Sequence, residues 1–484
     1  MAREPLIFEL ASAGRSGVRP PLPQFDAVNV SDVIGQGQLR SELDLPEVSE
    51  IDVMRHFLRL SQLNHSIDTA IYPLGSCTMK YNPKINEVTA RLTGFLDPHP
   101  YQPDPFVQGL LALVYDLEQL LADIAGFASV TTQPSAGSQG EMTGLLCIQK
   151  WLDKQGRRRQ KVLVPDSAHG TNPATAKMTG LEVVNLGTGQ DGNIDLRELE
   201  AKLDNDVAAL MLTLPTTLGL FEQRIIEVTE RVHAVGGQVY GDGANMNAML
   251  GRVRPGDLGI DVMHLNLHKT FTTPHGGGGP GAGALGVQSH LAQFLPGPRV
   301  VKRDGGFILD SPGPDSVGRV HSHLGNIGNL VRAYTYIRSL GPDGLREIAN
   351  DAVLNANYLR VRLGPYFDIP YDRMCMHEVV LSGNRQRSQG VRTIDIAKRL
   401  IDYGVHPPTI YFPLIVEEAL MIEPTETESI ESLDGFANAM IAVANEAASD
   451  PEVLHSAPQN APVRRLDEVS ANRSPDVNWA APIQ

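Results

Sequence analysis

His264-Leu265-Asn266-Leu267-His268-Lys269-Thr270-Phe271 runs into Thr272-Thr273-Pro274-His275 and then into Gly276-Gly277-Gly278-Gly279-Pro280-Gly281-Ala282-Gly283. Val262, His264, Asn266 and His268 alternate with Met263, Leu265 and Leu267, the two-residue period of a strand. A single Lys ends that run, and a glycine-rich stretch follows. Upstream, a second β-like run, Gln238 to Tyr240, ends at Gly241-Asp242-Gly243-Ala244. A Lys amine condenses with an aldehyde cofactor, and a carboxylate beside a pyridine nitrogen keeps that nitrogen protonated. Lys269 is therefore read as the amine that carries pyridoxal phosphate, and Asp242 as the partner of its ring nitrogen. Taken singly, such a Lys is a solvated strand end and such an Asp a turn residue. Their order, their strand-end placement and the glycines favour one shared cleft.

Outward from this pair, strands and helices alternate. Lys161 to Val164, Leu181 to Leu186 and Val207 to Leu214 read as strands, and Ile225 to Val235 as a helix between strands. This predicts an α/β fold with a large, mostly parallel sheet and helices on its faces. Polar residues recur just past the strand C-termini: His169, Thr217, Asp242 and Lys269. Ligands bind at that edge of an open α/β sheet. His169 either lies on an aromatic cofactor ring or caps the helix after it. His264 and His268 follow a strand's period with no Glu placed as in HExxH, so no metal site is expected.

Pro134-Ser135-Ala136-Gly137-Ser138-Gln139-Gly140-Glu141 opens a helix running through Trp151. A small-residue loop at a helix start offers free N–H groups to a phosphate, or is an ordinary helix start. No Gly-Lys-Ser/Thr follows, so it is not a Walker loop. Tyr72-Pro73-Leu74-Gly75-Ser76-Cys77-Thr78-Met79-Lys80-Tyr81-Asn82-Pro83 is either a donor-rich anion loop or a structural turn before a helix at Lys84 to Leu92.

The 484 residues suit two or three domains. Hydrophobic residues make up 42% and charged residues 20%, ordinary for a globular chain. A net charge of −15 argues against non-specific nucleic-acid binding. The three cysteines, Cys77, Cys147 and Cys375, are far apart, so neither a disulfide framework nor a Cys-based zinc site is indicated. The N-terminus lacks a signal pattern and no apolar run is long enough for a membrane span, which together point to the cytoplasm.

The expected layout is an N-terminal arm and helices (1–104), a cofactor-binding large domain (105–329), a smaller C-terminal α/β domain (330–454) and a tail (455–484). In the arm, Val53 to Leu63 has helical spacing. Asp104 is expected to cap a helix, with Pro105 at its first turn and Gly126 at its end. Helices are expected at Leu330 to Leu340, Glu347 to Leu363 and Thr393 to Tyr403, and strands at Glu378 to Ser382 and around Ala419 to Ile422.

Four stretches together resemble the glycine cleavage system P protein. They are Pro73-Leu74-Gly75-Ser76-Cys77-Thr78-Met79-Lys80, Ala168-His169-Gly170-Thr171-Asn172-Pro173-Ala174, Asn266-Leu267-His268-Lys269-Thr270-Phe271 and Glu423-Pro424-Thr425-Glu426-Thr427-Glu428-Ser429. The resemblance runs from about Asp52 to Asp467 and is narrowest to the second (beta) subunit of organisms that split the protein in two. It implies fold type I of the pyridoxal-phosphate enzymes and decarboxylating glycine dehydrogenase activity. Residue by residue, it places Lys269 at the Schiff-base Lys, Asp242 at the ring-nitrogen Asp and His169 on the ring, with Ala244 packed under it. Gly137, Ser138 and Gln139 fall in the phosphate loop, and Thr217 and His268 join the cofactor set. Lys269 and nearby histidines are candidates for proton transfer. The implied partners are glycine, the alpha subunit (subunit 1) in a heterotetramer of two alpha and two beta chains, and the lipoylated H protein, which receives the aminomethyl group after CO2 is lost. Two departures stand out. Pro215-Thr216-Thr217 replaces Pro-Asn-Thr, and Val320-His321-Ser322-His323-Leu324 replaces Val-Arg-Ser-Phe-Tyr. The rival readings are another pyridoxal-phosphate lyase or decarboxylase, and a non-catalytic scaffolding subunit.

Overall fold

Seven strands carry the site: β1 (Ser129–Thr131), β2 (Lys161–Pro165), β3 (Glu182–Leu186), β4 (Val207–Thr213), β5 (Gln238–Gly243), β6 (Val262–Asn266) and β7 (Gly283–Val287). They belong to a computed structural model that describes residues 4–477 except 20, 23, 40–42 and 276–280. The glycine run Gly276 to Pro280, part of the stretch that organises the sequence reading, therefore lies outside the described residues. By contacts the chain divides into one unit of residues 70–456 and a second built from residues up to 69 and from 457 onward.

In the larger unit the sheet order is β1-β7-β6-β5-β4-β2-β3. The strands from β3 to β6 pair in parallel. β7 runs antiparallel to both β6 and β1. The mostly parallel sheet follows the expectation; β7 is the addition, hidden in sequence by its glycines. β5, β6 and β7 are buried along their whole length because helices cover both faces. On one face Met263 and Leu265 share a core with Leu111 and Leu117 of the helix Gln108–Ala125. On the other, Val262 and Tyr240 share a core with Leu145 and Ile148 of the helix Gly137–Lys154.

That second helix lies close to the sheet for a reason visible in its sequence. A Cβ at Gly140 would stand 2.8 Å from His264 Cβ, and one at Gly144 would stand 2.8 Å from Tyr240 Cε2. Gly137, Gly140 and Gly144 thus form a flat helix face against β5 and β6. This close approach brings the helix N-terminus onto the carboxyl edge of the sheet.

Some local expectations need correction. Asp104 does not cap the long helix. Asp104–Phe106 is a separate 3-10 turn, and Asp104 Oδ2 accepts the Leu309 N–H at 2.9 Å. Leu309 lies in a hairpin of β8 (Arg299–Arg303) and β9 (Gly306–Asp310) that the polar spacing of its residues concealed. Gly126, at φ 80°, does end the helix Gln108–Ala125. The linking helix and the one after it are continuous over Ile327–Leu363, broken in geometry at Gly341 (φ 63°, ψ −174°) beside Pro342.

Farther on, β10 (Val379–Ser382), β11 (Thr409–Ile410) and β12 (Ala419–Ile422) form a three-stranded antiparallel sheet in the order β10-β12-β11. It packs with the helices Thr393–Asp402 and Ile430–Ser449 around its own apolar cluster, which includes Leu381, Leu420, Ile396 and Phe436. The smaller unit contains the helix Glu50–Gln62, capped by Ser49 and Asp52, and the short helix Glu468–Arg473. No described helix is long and apolar enough to cross a membrane.

Candidate active site

Asp242 and Lys269 open on one cavity of about 230 Å³ at the carboxyl edge of the large sheet. The connectivity makes this unavoidable. Asp242 sits near the end of β5 and Lys269 three residues past β6, and the two strands are parallel neighbours. His169, Thr217, Ala244 and His268 line the same cavity, as do Gly137 and Ser138. Gln139 does not line it. Its side chain accepts from Ser135 N at 2.7 Å and donates to Val320 O at 2.6 Å, so it shapes the loop that precedes the helix.

The carboxylate is closely held. Asp242 is 2% exposed. Its Oδ2 accepts from Asn172 Nδ2 at 2.9 Å and its Oδ1 from Ala244 N at 3.0 Å. His264 Nε2 lies 3.4 Å from Oδ1. Burial pushes the carboxyl pKa up. His264, the Asn172 amide, the Ala244 N–H and Lys269 together outweigh it and hold the value below the ordinary one. Behind His264, the Tyr240 hydroxyl meets Nδ1. Burial, then Glu141 and Asp242, raise the Tyr240 pKa well above its usual value, so this hydroxyl keeps its proton. The Asp242 carboxylate beside Nε2 can only accept, which assigns the His264 proton to Nε2 and leaves Nδ1 to accept from the Tyr240 hydroxyl.

Lys269 Nζ donates to the carbonyl of Ser76 at 2.6 Å. The Tyr72–Pro83 loop is thus part of the site, and several of its donors are already used within the protein. Ser76 N donates to Glu378 Oε2 at 2.8 Å and Thr78 N to Glu423 Oε2 at 3.0 Å. Lys80 is buried and donates to Glu426 Oε1 at 2.7 Å.

His169 is half-buried. Its Nδ1 lies 2.9 Å from Thr171 Oγ1, and its ring meets Phe412 edge-on at 5.4 Å. Thr217 gives its hydroxyl to Ser167 O, so it presents the rest of its side chain to the cavity. His268 Nδ1 faces Ala282 O at 3.0 Å, and burial depresses its pKa to about 4. His264 and His268 therefore serve different partners. In the departing segment, His321 Nδ1 accepts the His323 N–H at 3.4 Å, and His323 O receives the Gln133 amide at 3.1 Å.

The residues present fit pyridoxal phosphate. The helix Gly137–Lys154 begins at the cavity with no side-chain cap, leaving first-turn N–H groups and the positive end of its dipole for a phosphate. Asn266 Oδ1 and Thr213 Oγ1 are buried without a partner, and both residues line the same cavity. An amine, a carboxylate held ionised and an anion-receiving helix end are the donor set that an aldehyde, a pyridine nitrogen and a phosphate require.

The chain contains site residues that the sequence reading did not assign. Asn172 lies within the Ala168–Ala174 motif, where its polar type beside His169 was the available signal. His264 and Asn266 are polar on the face of β6 that meets the helix Gly137–Lys154, a pattern seen as strand alternation and not as a site. Glu141 accepts from Thr171 Oγ1 at 2.7 Å and Thr175 Oγ1 at 3.0 Å. Glu378 and Glu423 come from more than a hundred residues away; Glu423 opens the Glu423–Ser429 motif, whose link to the site was not legible, and Glu378 carried no local signal.

The backbone is similar to that of a glycine decarboxylase (P-protein) of the glycine cleavage system in inhibitor-bound form, with a TM-score of 0.74 at 23% identity, covering 86% of this chain and 94% of that one. It is also similar to a cysteine desulfurase from Thermococcus onnurineus NA1, with a TM-score of 0.59 at 15% identity over 78% and 95% of the two chains. Fold and site together define a fold type I pyridoxal-phosphate enzyme. Residues 24–305 match the model of the glycine cleavage system P-protein and residues 348–463 that of the glycine dehydrogenase C-terminal domain. The chain belongs to the glycine cleavage system P-protein family. It is 56% identical to the probable glycine dehydrogenase (decarboxylating) subunit 2 of Bacillus licheniformis, over 98% of each chain. It is 54% identical to the protein of the same name from Bacillus cereus, over 99% of this chain and 98% of that one.

Proposed function

We infer that this chain acts at the cavity shared by Lys269 and Asp242. The activity is the family's: pyridoxal-phosphate-dependent decarboxylation of glycine in the glycine cleavage system. The observation that carries the placement is the convergence of Lys269, Asp242 and the uncapped helix N-terminus at Gly137 on one cavity.

In this reading Lys269 holds the cofactor's aldehyde carbon and Asp242 its ring nitrogen. The N–H groups at Gly137 and Ser138 hold the phosphate, while His169 and Ala244 flank the ring. The bound cofactor supplies an electron sink for the pair left on the glycine α-carbon when CO2 departs. The chain's own residues do the rest. Asn172, His264 and the Ala244 N–H keep Asp242 anionic, so a ring proton beside it is stabilised. The Ser76 carbonyl aims the Lys269 amine. Burial keeps His268 neutral beside the Lys269 amine.

The subunit 2 name of the relatives implies a companion subunit. We extend this to a cytoplasmic heterotetramer of two alpha and two beta chains whose acceptor is the lipoyl arm of the H protein, which takes the aminomethyl group. We also assign cofactor binding to residues 105–329 and a supporting role to 330–454, with 1–104 and 455–484 as flanking arm and tail. The separate apolar clusters around the large and small sheets support that division.

The test is reconstitution of the chain with subunit 1 and lipoylated H protein, followed by glycine–CO2 exchange. Exchange is expected with the native chain and abolished by Lys269→Ala. Full exchange in that variant would overturn the placement. Exchange that proceeds equally without subunit 1 would overturn the proposed assembly.

A further inference from the structure

Glu378 and Glu423 lie beneath the loop that receives Lys269. Glu378 immediately precedes β10 and Glu423 immediately follows β12. The antiparallel register Val379↔Ile422 makes them cross-strand neighbours. They are 3% and 0% exposed. A nitrogen of His377 and one oxygen from each carboxylate all fall within 4.8 Å of one another. A cation whose field reaches both glutamates is Lys269.

The connection to Lys269 runs through two hydrogen bonds on one residue. Ser76 accepts from Lys269 Nζ through its carbonyl and donates to Glu378 through its N–H. Thr78, two residues on, donates its N–H to Glu423. Ser76 and Thr78 have φ values of 67° and 47°, a left-handed conformation that side chains disfavour and that must be held from outside. The two glutamates hold its N–H groups, alongside Lys269 on the Ser76 carbonyl and Asn245 on the Thr78 hydroxyl.

Resting on the placement of the lysine given above, we propose that Glu378 and Glu423 are positioning residues that share one proton, fixing the Ser76–Thr78 loop and matching a single negative charge to the Lys269 ammonium. Two carboxylates this close and this dry do not both ionise. Burial pushes Glu378 up to about 8, with Glu423 the next cause, and burial pushes Glu423 up to about 7. The groups facing them are consistent with one retained proton. His377 is held neutral by burial, at about 3. Burial raises the Cys77 thiol, with Lys269 opposing and both glutamates adding to the rise. Asn245 Nδ2 donates to Glu423 Oε1 at 2.7 Å, a neutral contact. Loss of the Lys269 charge removes the cation that favours ionisation, so the pair then holds its proton to higher pH.

Infrared difference spectroscopy of the purified full chain, titrated across neutral pH, tests this without relying on turnover. A protonated-carboxyl band is expected to persist well above the ordinary carboxylate range and to vanish on the way to about 8. In Glu378→Gln, whose amide oxygen still accepts the Ser76 N–H, its midpoint should fall toward the value of about 7 that burial gives the remaining Glu423, and in Lys269→Met it should rise. The absence of such a band in the native chain, or a midpoint unmoved by Lys269→Met, would overturn the proposal. In reconstituted enzyme, Glu378→Gln should move the pH profile of glycine–CO2 exchange by about one unit or more. A profile unchanged in both Glu378→Gln and Glu423→Gln would also overturn it. A band that behaves as described in a chain with no exchange activity would keep the shared proton and reject only the proposed reaction site.

Discussion

His264 Nε2 lies 3.4 Å from Asp242 Oδ1, and the two residues are registered partners on adjacent parallel strands. The contact is therefore built into the sheet, and the sheet itself presents Asp242 to the cavity with its charge already stabilised. Asp242→Asn keeps the shape and removes the charge. Glycine–CO2 exchange should fall by about 10²–10³-fold, the scale of losing one preorganised electrostatic group. Cofactor content, read from absorbance, checks that the loss is chemical.

Lys269 is assigned the covalent attachment. Borohydride reduction of the holoenzyme should fix the cofactor mass on the peptide that contains Lys269. In Lys269→Ala that mass should be missing from the peptide, although the phosphate end of the cavity remains. Mass spectrometry of the digested protein is the measurement.

Tyr240→Phe removes the hydroxyl that donates to His264 Nδ1. The buried ring nitrogen is left without its donor, at a cost of about 1–3 kcal/mol in urea unfolding. The same variant should lower exchange activity, because the proton on Nε2 that faces Asp242 is no longer fixed.

Gly140→Ala and Gly144→Ala would gain about 1 kcal/mol of helix propensity in an isolated helix. Here the new Cβ atoms stand 2.8 Å from His264 Cβ and from the buried Tyr240 ring. Overpacking of about 1–3 kcal/mol exceeds that gain. Both variants should unfold at lower urea concentration and bind the cofactor more weakly.

Burial depresses His268 and His275 to about 4 and His377 to about 3, from the ordinary 6.5. These histidines are neutral in the folded chain and protonate first in the unfolded one. Their contribution to stability is present above pH 6.5 and is lost as pH falls toward 4. The raised Glu378 acts in the opposite sense, its contribution fading as pH rises toward about 8. Unfolding free energy measured across this range in His377→Leu should show a weaker loss on acidification than in the native chain.

The linear sequence determined the parallel sheet, because β2 to β6 are short apolar runs separated by turn and helix signals. It also pointed to one edge of the sheet, since Asp242 lies at the end of a strand and Lys269, His169 and Thr217 each follow one. Local patterns could not reveal β7, whose glycines mask a buried strand, or the separation of Asp104 from the helix after it. They also could not show that the Ser76 loop belongs to the site. That depends on Glu378 and Glu423, more than three hundred residues away along the chain. Periodicity reports the surroundings of a residue along its own element. The partners that set the charge of Asp242 and the aim of Lys269 come from different strands and a different sheet, and only chain folding brings them within hydrogen-bond reach.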